Sequence, residues 1–200
     1  MLDSITEPKL LIVEGPDDQY LFEALIKQIG VEHIQVQNVG GTPGFRPALS
    51  AIVSTPGFRD LVSIGLVRDA NSSDADAARS LTYALADAGL PVPSAPLEFK
   101  SGDPRVAFLI VPHGQKSGIL EDVCLASTES DPAMSCVDGY FSCIDEHITD
   151  LPNNLSKARV QAFLASRKEP GKLLGQAASA GYWNWDHPAF DPLKQLVSML

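Results

Sequence analysis

Cysteine is scarce in this chain. Its three residues, Cys124, Cys136 and Cys143, form no C-x₂-C pair, and the odd count argues against a closed disulfide framework. Reduced, mostly buried thiols are expected. Long apolar runs are lacking too: no stretch approaches the roughly 18 to 20 uncharged apolar residues needed to span a bilayer. The opening segment Met1-Leu2-Asp3-Ser4-Ile5-Thr6-Glu7 has no basic region followed by an apolar one. The expectation is a soluble, cytoplasmic protein with no membrane partner. Basic charge is short, with 15 Lys and Arg against 25 Asp and Glu and a formal net charge of −10. Counterion release around clustered cations drives phosphate binding, so this balance excludes a general attraction to nucleic acid. Any nucleic-acid role needs a local basic patch, a metal or a basic partner.

What is present is enough apolar residue, 44 % of 200, for one sizeable core. Strand-like and helix-like segments alternate through the first two thirds, the mark of βα units and a largely parallel sheet. Lys9 to Val13 reads as a strand buried on both faces, because its apolar run is continuous. A helix follows from Asp17 or Asp18 to Gly30, with Tyr20, Leu21, Leu25 and Ile29 on one apolar face. Ile34 to Val39 is a second strand, Phe45 to Ser54 a helix, and Leu61 to Val67 a third strand. Ser72 or Ser73 caps a helix over Asp74 to Ala88, and Arg105 to Val111 is the fourth strand after a proline-rich connection. A helix is expected to start near Gly118. Beyond Ser130, apolar spacing at Met134, Val137, Phe141, Ile144 and Ile148 is helical, as are Leu155 to Arg167 and Leu193 to Leu200. The expected organisation is an α/β domain over 1–128 and a helical extension over 129–200 packed on it.

Acids close two of the strands. Glu14 ends the first, and the third runs into Asp69-Ala70-Asn71. In open α/β sheets ligands gather outside the carboxyl ends of the strands, so these acids can converge. Converging carboxylates repel one another unless a cation compensates, and oxygen donors suit Mg²⁺. The alternative is that Glu14 caps a helix and Asp69 makes a turn. Asp74 and Asp76, in a first helical turn, are better read as dipole-compensating residues. Glu121 and Asp122 admit the same reading or a metal role. Gly40-Gly41-Thr42-Pro43-Gly44 brings bare backbone to a strand end, yet matches neither the Walker A nor the G-x-G-x-x-G pattern. A small-phosphate site and a tight turn both account for it.

His113 suits a turn better than an acid or base role. The one basic concentration runs from Lys157-Ala158-Arg159 through Arg167, Lys168 and Lys172. It is either a phosphodiester-binding helix or a solvated face. The Tyr182-Trp183-Asn184-Trp185 cluster packs a terminal segment or stacks on bases.

Val13-Glu14-Gly15, Val39-Gly40-Gly41 and Asp69-Ala70-Asn71 resemble the Toprim superfamily, the metal-binding domain of topoisomerases, bacterial primases and overcoming-lysogenization-defect (OLD) nucleases. More closely, the chain resembles the DUF3226 family. That likeness adds Asp17-Asp18, Val67-Arg68-Asp69-Ala70, Gly89-Leu90-Pro91-Val92-Pro93, Leu120-Glu121-Asp122, Lys157-Ala158-Arg159, Gly181-Tyr182-Trp183 and Asp186-His187-Pro188. The resemblance implies a three-layer α/β/α, Rossmann-like domain with a mostly parallel sheet of about four strands and a C-terminal helical extension.

The resemblance also implies a Mg²⁺- or Mn²⁺-dependent nuclease acting on DNA or RNA. Glu14 would be general acid or base or a metal ligand, Asp69 a metal ligand, and Glu121 a ligand for a second cation. Lys157 would lie near the scissile phosphate, with Arg159, Arg167 and Lys168 as further nucleic-acid contacts. Two metals about 3.5 to 4 Å apart can stabilise the attacking and leaving oxygens together. Asn71 departs from the Asp-x-Asp pattern: it offers a neutral oxygen, and the lost charge predicts a weaker site. Relatives are often encoded beside ABC- or SMC-type ATPases in phage-defence settings, which implies such a partner, or self-association. A non-catalytic binding or regulatory subunit is the competing expectation.

Overall fold

The computed structural model describes residues 3–41 and 44–200, so Thr42 and Pro43 of the glycine-rich turn lie outside the described residues. Four parallel strands form one sheet in the order β2-β1-β3-β4. They are β1 (Lys9–Val13), β2 (Ile34–Asn38), β3 (Ser63–Asp69) and β4 (Arg105–Val111). In β1 the residues Leu10 to Val13 are wholly buried, as an uninterrupted apolar run in a central parallel strand requires. The chain leaves β1 for β2 on one side and reaches β3 on the other. The carboxyl ends of β1 and β3 therefore flank the point where the winding reverses, the crevice such sheets offer to ligands.

The sheet separates two apolar layers. On one face Leu10, Ile12, Ile64, Leu66 and Phe108 pack with α2 (Phe45–Ile52) and α3 (Asp74–Asp87). On the other, Leu11, Val13, Val67 and Leu109 pack with α1 (Pro16–Ile29) and with the helices of the last third. Those are α4 (Leu120–Ala126), α5 (Ala133–His147), α6 (Leu155–Ala165), α7 (Leu174–Ser179) and α8 (Asp191–Met199). The result is the expected three-layer α/β arrangement with a helical C-terminal part.

Boundaries differ from the sequence reading where local chemistry intervenes. β3 begins at Ser63, two residues later than Leu61, because a 3₁₀ turn over Phe58–Asp60 consumes the preceding residues, and it runs on through Asp69. Pro16 starts α1 one residue before Asp17, since proline at the first helical position forfeits only an N–H with no helical partner. Tyr20 is 52 % exposed, and Phe22 takes the buried place beside Leu21 and Leu25.

Helix α7 was not expected from its sequence, which is short and rich in small residues. It seats closely on α1. A Cβ at Gly175 would collide with Tyr20 Cβ and stand 2.6 Å from the Asp17 carbonyl oxygen, so only glycine permits this approach. That contact fixes the start of α1, which carries Asp17 and Asp18. At the opposite end of the sheet Ser63 Oγ donates to the Leu200 carbonyl at 3.0 Å and Arg105 Nη2 to those of Met199 and Leu200 at 3.0 and 3.1 Å, pinning α8 beneath β3 and β4. No helix among the described residues is long and apolar enough to cross a membrane.

Candidate functional site

Two tight connections build the site at the strand ends. Asn71, at φ 52°, pairs its backbone with Gly118 in both directions at 2.7 and 2.8 Å. Asparagine tolerates that left-handed turn better than most side chains. Gly118, at φ 132°, lies where a Cβ would stand 2.7 Å from Pro112 Cδ and 2.8 Å from Asp122 Oδ2. The link holds the start of α4 over the end of β3, so that the Leu120 N–H donates to Asp69 Oδ1 at 2.9 Å. From the other side the Asp69 N–H donates to Glu14 Oε2 at 3.0 Å. At the start of α1, the Gly15 N–H donates to Asp18 Oδ2 at 2.8 Å.

Electrostatics single out Asp69. Burial, then the charges of Asp18, Glu14 and Glu121, push its carboxyl up to about 8, against a weaker lowering by the Leu120 hydrogen bond. Asp18 is pushed up to about 6, again mainly by burial, and by Glu121, Glu14 and Asp17. Burial also raises Glu121, with Lys157 acting the other way. The Lys157 ammonium lies 3.7 Å from Glu121 Oε1. Asp122 is turned to structural use: it accepts from the Ile119 N–H at 2.8 Å and from Ser156 Oγ, joining α4 to α6.

Glu14, Asp69, Glu121 and Lys157 thus belong to one neighbourhood, and Asp18 joins them although the sequence reading gave it no ligand role. Its signal was its place one helical turn after Glu14 on a helix starting at a strand end. Asn71 stands apart. It is exposed, and its amide donates back to the Asp69 carbonyl at 3.4 Å. The donors suit a hard cation in chemistry, being carboxylate oxygens that raise one another. Among the described residues no three Asp, Glu, His or Cys side chains stand in a metal-holding arrangement.

The basic residues divide. Arg167 grips Asp131 through both terminal nitrogens at 2.8 and 3.1 Å and lies 4.2 Å from the Phe163 ring centre; Arg159 pairs with Asp138 over Phe141. Both charges are matched inside the helical part. Lys157 and Lys168 are exposed. Trp183 is buried, stacks on Phe163 at 5.7 Å and donates Nε1–H to the Leu174 carbonyl, so the tryptophan cluster packs the terminal segment. His113 is exposed in its turn. Cys124 is buried, whereas Cys136 and Cys143 are exposed on α5, which corrects the expectation of mostly buried thiols.

A family model described as "Protein of unknown function (DUF3226)" matches residues 8–200. The chain belongs to the DUF3226 family. This DUF3226 protein is similar in fold to the C-terminal region of the Burkholderia pseudomallei OLD protein. The TM-score is 0.52 at 15 % identity, over 96 % of this chain and 98 % of that one. The C-terminal region of the Xanthomonas campestris pv. campestris OLD protein aligns over 96 % and 97 % at 12 % identity, with a TM-score of 0.46. No curated protein matches the chain.

Proposed function

We propose that this DUF3226 protein is a Toprim-type, divalent-metal-dependent nuclease that cleaves phosphodiester bonds of DNA or RNA. The observation that carries the reading is Asp69, half-buried at the reversal point of the sheet and raised to about 8 by desolvation first and then by three neighbouring acids. Such a group is a poor structural choice in isolation and a good one where a cation supplies the missing charge. Asp69, Asp18 and Glu121 do not stand in a metal-holding arrangement as they are and would have to draw together to hold Mg²⁺ or Mn²⁺, with Glu14 as ligand or proton acceptor. A bound cation of this kind polarises a phosphoryl oxygen and lowers the pKa of water.

The chain's own residues do the remaining work. Glu14 fixes Asp69 through the backbone, and the Leu120 N–H orients the Asp69 carboxylate. Lys157, free to swing on an exposed stem beside Glu121, would offset charge on the non-bridging oxygens as it develops. With a net charge of −10, affinity for nucleic acid would come from a partner. The apolar groove of about 540 Å³ between α5 and α6, lined by Val137, Tyr140, Phe141 and Ala162, offers a surface for an ATPase of the ABC or SMC type or for a second copy. That setting fits phage defence or DNA processing.

A second reading is a non-catalytic subunit of an ATPase complex. It is favoured by Asn71, whose amide turns back onto its own loop. Incubation of supercoiled plasmid and single-stranded RNA with the pure protein in Mn²⁺, Mg²⁺ or EDTA, beside Glu14→Ala, separates the two. Metal-dependent cleavage that vanishes in the variant supports the nuclease. Absence of cleavage under all conditions supports the subunit.

A further inference from the structure

The outer side of the α5–α6 pair carries a feature that the acid site does not use. The two helices run antiparallel, as the pairs Asp131–Arg167 and Asp138–Arg159 require. Between them lies the apolar groove, and none of the described residues lining it is charged. Its α5 wall is Ala133, Val137, Tyr140 and Ile144, at spacings of four, three and four. Its α6 wall is Ala158, Ala162 and Ala165, at four and three. Such spacing makes the stripe by which one helix seats along another. Tyr140 is 55 % exposed on this stripe, and the alanines of α6 are too small to cover it.

The α5 stripe matches a copy of itself. Set antiparallel about a two-fold axis midway between Ala133 and Ile144, each Ala133 meets the other chain's Ile144 and each Val137 the other chain's Tyr140. Every layer then opposes a smaller residue to a larger one, which fills a seam without voids. One surface thus supplies both halves of a closed pair, as an isologous interface demands. The acids of α5, Asp138, Asp145 and Glu146, do not line the groove, so the pairing brings no like charges face to face. A strongly charged partner finds no counter-charge in these walls, whereas a neutral, self-complementary surface finds its match.

We propose that the α5–α6 hairpin is a homodimer interface, in which α5 of a second copy lies antiparallel in the groove and the two hairpins form a four-helix bundle. The pairing goes beyond the nuclease reading and does not rest on it. Its register makes one further demand. Cys136 and Cys143, both exposed, precede Val137 and Ile144 and so flank the stripe on the same side of α5. At about 1.5 Å of rise per residue, Cys136 comes to about 3 Å along the axis from the other chain's Cys143. Cys136 and its own counterpart stand about 7.5 Å apart along the axis, and Cys143 and its counterpart about 13 Å, before any lateral distance is added. A disulfide spans Cα atoms up to about 7 Å apart, so only the mixed pair can be bridged.

Sedimentation equilibrium of the intact chain under reducing conditions tests this. The parent is expected at twice its 21.4 kDa chain mass, and Tyr140→Glu and Ala165→Glu at the single-chain mass. Both positions are exposed, so an acid at either leaves the core of the single chain undisturbed. If Tyr140→Glu does not fold, Ala165→Glu decides. A parent of single-chain mass at the highest soluble concentration overturns the pair and leaves the groove to an ATPase or another occupant. A dimer that the folded variants leave intact also overturns it. The register is read with diamide, which takes up two electrons and two protons as two thiols join. Diamide should link the parent into dimers, and Cys124, being buried, does not compete. Cys136→Ser alone and Cys143→Ser alone should each lose the link, and an equal mixture of the two should regain it, one chain supplying Cys143 and the other Cys136. A parent that does not link, a link that survives in either single variant, or one that fails to return in the mixture overturns the proposal. None of these readouts involves cleavage, so failure of the nuclease reading and failure of the dimer are read separately.

Discussion

The Asp69 N–H donates to the Glu14 carboxylate at 3.0 Å across 55 residues of sequence, joining the ends of β1 and β3 where the sheet reverses its winding. One side chain thereby carries two duties: it closes a part-buried backbone donor and it adds negative charge beside Asp69. The duties separate by substitution. Glu14→Gln keeps an acceptor and should leave the denaturation midpoint nearly unchanged while cleavage falls. Glu14→Ala strands the N–H and should cost about 1 to 3 kcal/mol in urea unfolding, with cleavage lost as well.

Asp69 and Asp18 make stability depend on pH. Their folded-state values, about 8 and about 6, lie above the ordinary 3.8, so the folded protein binds more protons than the unfolded chain between those limits. The contribution is fully present below the unfolded value and is lost as pH rises through the folded ones. In EDTA the melting temperature should therefore fall from about pH 4 to about pH 8, with the later part of the fall absent in Asp69→Asn. Adding Mg²⁺ should flatten the parent's curve and leave the variant's less affected. A parent curve that is flat in EDTA would contradict the charge balance described for the site.

Lys157 and Arg167 should behave as opposites. Lys157 is 61 % exposed and 3.7 Å from its acid, a geometry worth little to stability, so Lys157→Ala should shift unfolding by less than about 1 kcal/mol while slowing cleavage strongly. Arg167 holds Asp131 below its ordinary range through a two-pronged contact and lies over Phe163. Arg167→Lys loses the fork and the stacking, and should destabilise by about 1 to 3 kcal/mol with cleavage per folded molecule unchanged. Paired unfolding and cleavage measurements on both variants check the division.

Much of this fold was legible because it is periodic. Lys9–Val13 and Arg105–Val111 could be bounded to the residue, since continuous apolar runs between turn formers have one good solution in a parallel sheet. The acids Glu14 and Asp69 were legible because they stand at strand ends, Glu14 just past the buried first strand and Asp69 as the last residue of the third. Asp18 was not, because an acid in a first helical turn is equally suited to capping, and it does accept the Gly15 N–H. Arg68 was hidden further. Nothing in Leu66-Val67-Arg68-Asp69 tells which face of the sheet the arginine enters or that its Nε and Nη1 find no hydrogen-bond partner among the described residues. The pairing of Arg167 with Asp131 joins positions 36 apart that no local pattern connects, and so a helix read as basic is largely neutralised.

The seat of α7 on α1 makes the last prediction, because it links a glycine with no polar group to the acids of the site. Gly175→Ala would press a methyl group into Tyr20 and the Asp17 carbonyl, and backbone cannot yield as a flexible side chain does. A loss of about 1 to 3 kcal/mol is expected, as for other overpacked contacts. The displaced segment begins α1, so Mn²⁺ affinity should weaken in the fraction that still folds. Gly139→Ala is the matched control. That glycine lies within α5 with nothing within 4 Å of an added Cβ, so the same methyl should raise stability by about 0.5 to 1 kcal/mol and leave metal affinity alone. Chemical denaturation with Mn²⁺ titration on both variants would show whether close helix contact, rather than glycine content as such, holds the acids in place.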